Sequence, residues 1–305
     1  LTVNYLTCKI IKNEILSSQL YHHKGEKMIL ITGSTGNVGK YLVPNLLKTG
    51  ANVRVLVRDR KKAEVFGEKV SVAVGDLDQP ETLLPAMQDI TKLYIVTPDT
   101  KQVSNLLQAA KQNGVKHVVK QSTIEAGRSL GPGKWHRQQE ELIKSMKFQW
   151  TFLRPTMMMV NTIDWWKETI KQQNAVYFPG GKAKVPAVAS QDIAAVACKA
   201  LTEPGHEGKI YDITGPEALS IEEMVNTLSK NLNKSIKYVD VPILAAGMSL
   251  IQFGLPLYVI NGLMHTLRAL RHSEYEYITY AVEHIGGVKG KTYSQWCTEN
   301  KSAFQ

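Results

Sequence analysis

Cysteine is scarce in this chain of 305 residues: three copies, Cys8, Cys198 and Cys297, far apart and odd in number. No CxxC pair or His/Cys cluster accompanies them, so neither a zinc site nor a disulfide framework is signalled, and a reducing, cytoplasmic setting is expected. Repeats and low-complexity tracts are absent too, which leaves an ordinary globular composition, 43% hydrophobic and 21% charged. Clustering of charge is also lacking. The net charge is +10, yet apart from the run Arg58–Lys62 the lysines and arginines are scattered. With no aromatic-basic array and no reading helix, a nucleic-acid partner is not expected.

The longest uncharged stretch runs from residue 241 to 267, "VPILAAGMSLIQFGLPLYVINGLMHTL". About 20 apolar residues would suffice to span a membrane. Pro242, Gly247, Gln252, Gly254, Pro256, Asn261 and His265 interrupt this one. It predicts two short apolar helices, broken near Gly254–Pro256, that cover a pocket or a partner surface; peripheral contact with lipid is the lesser alternative. Residues 1–27 carry no apolar core and no small-residue cleavage site of a secretory signal. Met28 opens the first strand pattern, and Lys24-Gly25-Glu26-Lys27 before it can be encoded by a purine-rich run. Residues 1–27 are therefore expected to be an extra segment upstream of the natural start, or else a short surface helix over 9–20.

From Met28 onward, short apolar β-rich runs alternate with amphipathic ones. Strands are expected at 28–32, 52–57, 70–74, 92–96, 117–121 and 149–153, with helices near 37–49, 60–66, 79–88, 100–113 and 134–146. Nearly continuous apolar strands interleaved with helices predict an α/β fold, a doubly wound parallel sheet covered on both faces. A dinucleotide-binding core over 28–155 would be followed by a smaller, mostly C-terminal α/β lobe over 156–305, some of whose segments return to the sheet. In that lobe, "GGKAKVPAVASQDIAAVACKAL" reads as a turn, a short strand and a helix from Ser190. "KIYDITGPEALSIEEM" reads as a strand, a turn and a capping box at Ser220–Glu223.

"ILITGSTGNVGKYL" places Gly33, Gly36 and Gly39 directly after a strand and before a helix, with Thr35, Asn37 and Val38 between them. That context is the Rossmann signature. Gly33 permits the tight turn, Gly36 lets backbone approach a pyrophosphate, and Gly39 packs helix against sheet. The diphosphate then meets the positive end of the helix. Pro44 inside the helix is tolerable as a kink in an early turn. Where an NAD enzyme places a carboxylate after the second strand, this chain has Arg58, with Arg60, Lys61 and Lys62 behind it. A cation there suits a 2′-phosphate, so NADP(H) is preferred over NAD(H). Asp59 is the counter-argument, since a one-residue shift would put it on the ribose. Asp76 and Leu77, ending the third strand, would flank the adenine, unless Asp76 simply caps the next helix.

The segments "GSTGNVG", "VRVLVRD", "GDLDQPETL", "LLQAAKQNGVKHVVKQST", "HRQQEELIKSMKFQWTFLRPTMMMVN", "YDITGPEALSIEEM" and "GKTYSQWCTENKSAF" together resemble the NmrA-like group of the atypical short-chain dehydrogenase/reductase superfamily, over Met28 to about Phe304. Members are quinone or dye reductases, plant aryl-ether reductases, or non-catalytic redox sensors that bind NADP and a protein partner. The resemblance implies that Thr97 passes near the nicotinamide ribose and that Ser122 occupies a position contacting a substrate carbonyl. It also implies that Arg154-Pro155 closes over the nicotinamide, with Thr156 to Met159 facing the substrate.

The better-known members of that superfamily use Tyr-x-x-x-Lys on one helix face, the lysine lowering the phenol's pKa. Here the sole match is Tyr5–Lys9, in the N-terminal segment. The expected helix, beginning "KWHRQQEE", offers His136 and Glu140 instead, a pair that resembles the His-x-x-x-Glu carried at this point by several NmrA-like reductases. As catalytic residues, His136 would orient or protonate the substrate, with Glu140 fixing its tautomer; as plain helix residues, they would start a solvated face. Met157, Met158 and Met159, with Trp165, Trp166, Tyr177 and Phe178, are candidates for an adaptable apolar pocket, and for each residue singly the ordinary core is the alternative. The function expected is reduction by NAD(P)H of a planar electron-poor substrate such as a quinone or dye, in a monomer or homodimer. The alternative is a non-catalytic NADP(H)-sensing regulatory protein. An isomerase-like activity is disfavoured by the absent tyrosine.

Overall fold

A computed structural model describes residues 28–128, 131–252, 254 and 256–305; both expectations for residues 1–27 lie outside the described residues. The chain opens with β1 (Met28–Thr32), α1 (Gly39–Lys48) and β2 (Asn52–Val57). It continues through a 3-10 segment at Arg60–Lys69, β3 (Ser71–Val74), α2 (Leu83–Ala86), β4 (Ile90–Ile95) and α3 (Thr100–Gln112). Then come β5 (His117–Gln121), α4 (Gly133–Ser145) and β6 (Gln149–Pro155). These strands, joined by β9 (Lys209–Ile213), form one seven-stranded sheet in the order β3-β2-β1-β4-β5-β6-β9, every pairing parallel.

Hydrophobic burial on two faces explains the near-continuous apolar strands. One face is covered by Leu42, Val43 and Leu46 of α1 and by Ile193, Val196 and Leu201 of α6 (Ser190–Thr202). On the opposite face lie Leu83 of α2, Leu106 and Leu107 of α3, and Ile143 of α4. The order reverses between β1 and β4, and a crevice at the carboxyl ends of the strands is where such sheets hold ligands.

Beyond β6 the chain builds a second core around Trp166 and Ile170 of α5 (Asn161–Gln173) and Met224, Val225 and Leu228 of α7 (Ile221–Leu232). The small strands of this region pair in two ribbons. β7 (Ala175–Phe178) lies parallel to β11 (Lys237–Asp240), and β8 (Lys184–Val185) antiparallel to β10 (Leu219–Ser220). The capping box at Ser220–Glu223 is complete, with both reciprocal bonds made.

Two expectations shift in detail. The helix at 60–66 is 3-10, capped by the Asp59 side chain and interrupted at Gly67, whose φ of +61° leaves the helical region. The helix at 79–88 shrinks to a 3-10 turn at Pro80–Thr82 followed by α2, since Pro85 next interrupts the backbone donors. The uncharged stretch does form two helices, α8 (Ile243–Gln252) and α9 (Leu257–Arg271), parted at Gly254 and Pro256. Leu263, Thr266, Leu267 and Leu270 of α9 roof a cleft, while Leu244, Met248, Ile251 and Tyr258 face outward. No helix among the described residues is long and apolar enough to cross a membrane. The chain closes with α10 (Ala281–His284) and α11 (Tyr293–Asn300).

Candidate active site

The site begins at the turn after β1. Gly33 has a φ of +62°, and its carbonyl accepts from the Gly36 amide at 3.0 Å, closing the turn. Gly39 is needed for a different reason. A Cβ there would stand 2.1 Å from the Gly33 carbonyl oxygen and 2.6 Å from that of Ser34, so only glycine lets the first turn of α1 sit on the loop. Thr35, Gly36 and Asn37 are exposed at the rim, whereas Val38 is buried in the core beneath.

A cavity of about 270 Å³ opens from this turn. Its walls include Gly33, Ser34 and Thr35 of the loop, Arg58 and Lys62 after β2, and Asp76 and Leu77 after β3. Asp59 is turned away: its carboxylate accepts from the Lys61 amide at 3.0 Å and caps the 3-10 segment. Asp59 does not line the cavity, whereas Arg58 and Lys62 do. Asp76 accepts from the Asp78 amide at 3.0 Å within its own loop. The Ser34 hydroxyl is buried with no protein partner, an orphan polar atom in the wall of a cavity suited to a polar ligand. Glycine turn, cationic wall and orphan hydroxyl fit a dinucleotide.

A second, larger cleft of about 440 Å³ opens at the ends of β4, β5 and β6. Val96, Pro98, Gln121, Ser122, His136 and Pro155 form its floor side; Met157, Met158, Trp165 and Phe178 form an apolar wall. Trp165 is 47% exposed and stacks on Phe178 with ring centroids 5.5 Å apart, a flat surface open to a ligand. Met159 corrects the expectation for the triplet. It is fully buried in the second core, its amide donating to Val188 at 2.9 Å, because the chain turns into α5 there and directs it inward. Trp166 is core for the same reason. Thr97 is nearly buried, its hydroxyl donating to Gln102 at 2.6 Å, so its neighbours Val96 and Pro98 line the cleft instead.

His136 and Glu140 lie on one face of α4 but serve different neighbours. Glu140 is fully buried, and its hydrogen bonds go to residues other than His136. Its carboxylate accepts from Arg154 Nε at 3.0 Å and Nη2 at 2.5 Å, a bidentate pair, and from the Ser122 hydroxyl at 2.6 Å. The expectation that Glu140 sets the tautomer of His136 is thus corrected: a guanidinium two strands' ends away outcompetes an imidazole one helical turn off. Ser122 and Arg154 are engaged in the same network, which ties the ends of β5 and β6 to α4. Gln139, also fully buried, donates to the Pro98 carbonyl at 2.6 Å and fastens α4 to the end of β4.

Three residues of the site escaped sequence reading. Lys120 of β5 is fully buried beneath His136. Glu125, in the cleft wall, is pushed up to about 7 by burial, with a hydrogen bond from Thr266 pulling the other way. Tyr275 lines the same wall with its hydroxyl buried and unpartnered. Lys120 had a legible signal: a cation inside "HVVKQ", a strand whose every residue is buried.

Sheet order, glycine turn and cavity define a dinucleotide-binding α/β protein of the Rossmann type. The chain belongs to the NmrA-like family, whose family model matches residues 25–296. It is 33% identical over 285 residues to an NAD(P)H azoreductase of Xenophilus azovorans, covering 91% of this chain and 99% of that one. It is 29% identical over 282 residues to a (4-alkanoyl-5-oxo-2,5-dihydrofuran-3-yl)methyl phosphate reductase of Streptomyces griseus, covering 91% and 99%. Among solved structures, an NADPH-dependent quinone oxidoreductase of Escherichia coli superposes with a TM-score of 0.78 at 25% identity, covering 89% of this chain and 99% of that one.

Proposed function

We propose that this protein is an NAD(P)H-dependent reductase of planar, electron-poor acceptors, quinones or dyes, with residues 28–155 holding the dinucleotide and residues 156–305 supplying most of the acceptor cleft. The observation that carries this reading is the meeting, at one end of one sheet, of a glycine-turn cavity with a Met- and aromatic-walled cleft that has His136 in its side. The three relatives described above carry reductase or oxidoreductase names, one an azoreductase and one a quinone oxidoreductase, which supports the reading. Bound to the turn, the nicotinamide cofactor supplies the hydride.

The rest is the work of this chain's own groups. The Gly33–Gly39 turn and the N-terminus of α1 hold the diphosphate. Leu77, in the wall of the first cavity, would hold the adenine; Pro155 would hold the nicotinamide, and Met157, Met158 and Trp165 would hold the acceptor in the cleft they line. Ser122 and Arg154, held by Glu140, keep the ends of β5 and β6 at fixed spacing beneath the reacting rings. His136 faces the acceptor as a hydrogen-bond donor. A quinone or conjugated dye delocalises the charge it gains, so it needs less help than a simple ketone, which is why the Tyr-x-x-x-Lys pair is dispensable. Met157 and Met158 adapt to several flat shapes, which fits a broad acceptor range.

Incubation with NADPH and a panel of quinones and azo dyes, following loss of nicotinamide absorbance, tests the reading. Tight cofactor binding with no turnover on any acceptor would overturn it and favour an NADP(H) sensor. His136→Ala should lower turnover by about tenfold or more while leaving NADPH affinity intact; an unchanged rate would reduce the histidine to scaffold.

The cofactor preferred is NADP(H), because Arg58 and Lys62 line the cavity while Asp59 is committed to its cap. Arg58→Ala should weaken NADPH by about tenfold or more, the worth of a charge-assisted hydrogen bond, and leave NADH nearly unchanged. Isothermal titration of both cofactors decides, and equal losses would contradict the 2′-phosphate assignment.

A further inference from the structure

The helix α4 carries no Tyr-x-x-x-Lys pair, yet a lysine of the sheet stands beside its His136. Lys120 is fully buried in β5. Its Nζ donates to the Thr97 carbonyl at 3.3 Å and to the Gln121 carbonyl, and stands 3.4 Å from Nδ1 of His136. An ammonium has protons and no lone pair, so it donates at this contact and Nδ1 accepts. A neutral imidazole that accepts at Nδ1 carries its own proton on Nε2, the nitrogen on the far side of the ring from the lysine. His136 lines the cleft, so that N–H is available to an acceptor molecule there.

The groups facing this pair are few and identifiable. Glu140 of α4 attracts Lys120 through space but is bonded to Arg154 and Ser122. Glu125 shares the cleft wall with His136. Among the described residues, Lys120 forms no ion pair with a carboxylate. Burial therefore lowers Lys120 to about 7, partly offset by Glu140. Burial, with the neighbouring Lys120, lowers His136 to about 3, so its ring is neutral at working pH.

Resting on the reductase reading above, we propose that Lys120 and His136 form a proton relay that takes the place of the Tyr-Lys pair, Lys120 acting as the positioning residue that fixes the Nε2–H tautomer and as the source of the replacement proton. The acceptor's two electrons arrive with the hydride, leaving an oxyanion, or an anionic nitrogen in a dye. Its new bond to hydrogen forms as the His136 Nε2–H bond breaks. In the same movement Nδ1 gains a proton as one Nζ–H bond breaks, leaving Lys120 a neutral amine. When product leaves, Nε2 takes a proton from water in the open cleft and Nδ1–H returns its proton to the amine. The lysine is recharged without ever meeting solvent, which reconciles its complete burial with repeated turnover.

Lys120→Met tests this. Methionine has similar length and replaces a buried ammonium by an apolar group of like shape, so folding should survive. In the full-length apo protein, ¹⁵N spectra of labelled histidine, with His136 assigned through His136→Gln, should show the Nε2–H tautomer in the wild type. In Lys120→Met the tautomers should mix and the His136 midpoint should rise by about one unit or more toward its ordinary value. Turnover with a quinone should fall about tenfold or more in Lys120→Met, with NADPH affinity unchanged. The wild-type rate should drop as pH rises through about 7, where the ammonium is lost, and the variant should lack that limb. An Nδ1–H tautomer in the wild type, or a variant with the wild-type pH profile, overturns the relay. If no acceptor is turned over by the wild type, the reductase reading fails on its own, while the tautomer measurement still decides the Lys120–His136 assignment.

Discussion

Glu140→Ala should cost about 3–5 kcal/mol of folding stability, the loss typical when one partner of a buried ion pair is removed and the other is left uncompensated. Glu140 is fully buried, and Arg154, which it holds, is 7% exposed, so water has little access to take the carboxylate's place. The Ser122 hydroxyl loses its acceptor in the same step, and an unsatisfied buried hydroxyl adds to the loss. Asp212 of β9 also acts on Arg154 through space, which draws the effect toward the lower end of that range. Urea denaturation of the two proteins measures it, as a shift in midpoint at unchanged slope.

The double variant Glu140→Leu with Arg154→Met should recover most of the loss, since two apolar groups of similar volume leave no charge stranded. That recovery separates a cost of stranded charge from a cost of lost shape. A Glu140→Ala protein as stable as the wild type would mean the network is ornamental, and the positioning of β5 and β6 would need another explanation.

Gly39→Ala should lower dinucleotide affinity by about 10- to 100-fold, equivalent to the 1–3 kcal/mol that forced overpacking costs. The added methyl would meet backbone oxygens at 2.1 and 2.6 Å, and backbone cannot swing aside as a side chain can. Either α1 moves off the loop or the loop opens, and in both cases the amides at the helix start leave the positions from which they meet a diphosphate. Gly36→Ala is the comparison for folding alone: its methyl would meet one protein oxygen at 3.2 Å, a contact that a few tenths of an ångström relieve, so without ligand its urea midpoint should fall less than that of Gly39→Ala. Titration of the wild type and of Gly39→Ala with NADPH measures the loss of affinity. Equal affinities would remove the close helix–loop approach from the binding account.

How much of this was legible beforehand depends on how local each feature is. The glycine turn, the six leading strands and the paired helices at 243–252 and 257–271 follow from neighbours a few residues apart, by strand alternation, helix-breaking residues and turn chemistry. The capping box at Ser220–Glu223 is local in the same sense. Asp59 stood open because two registers were compatible with "VRDRKK", and the partner of its side chain, the Lys61 amide, is visible only in the folded chain. Met159 and Trp166 could not be told from Met158 and Trp165 in the sequence, since neighbours on a turning segment share composition and differ only in direction.

The partners of Glu140 were beyond reach for a different reason. Spacing i, i+4 places His136 and Glu140 on one face, but a face has many neighbours, and the strongest available donor came from β6. Lys120 is the converse case. The sequence shows an ionisable residue in a buried strand, but which helix residue it meets is decided by how α4 crosses β5. By itself, the amino-acid sequence determined the parallel sheet, the dinucleotide turn and the cationic wall after β2, because each is written in contiguous residues whose backbone chemistry admits one outcome. Only the tertiary structure decided that Glu140 answers to Arg154 and that Lys120 stands behind His136, because electrostatic pairing is settled by distance in space, and those distances exist only once strands and helix are packed together.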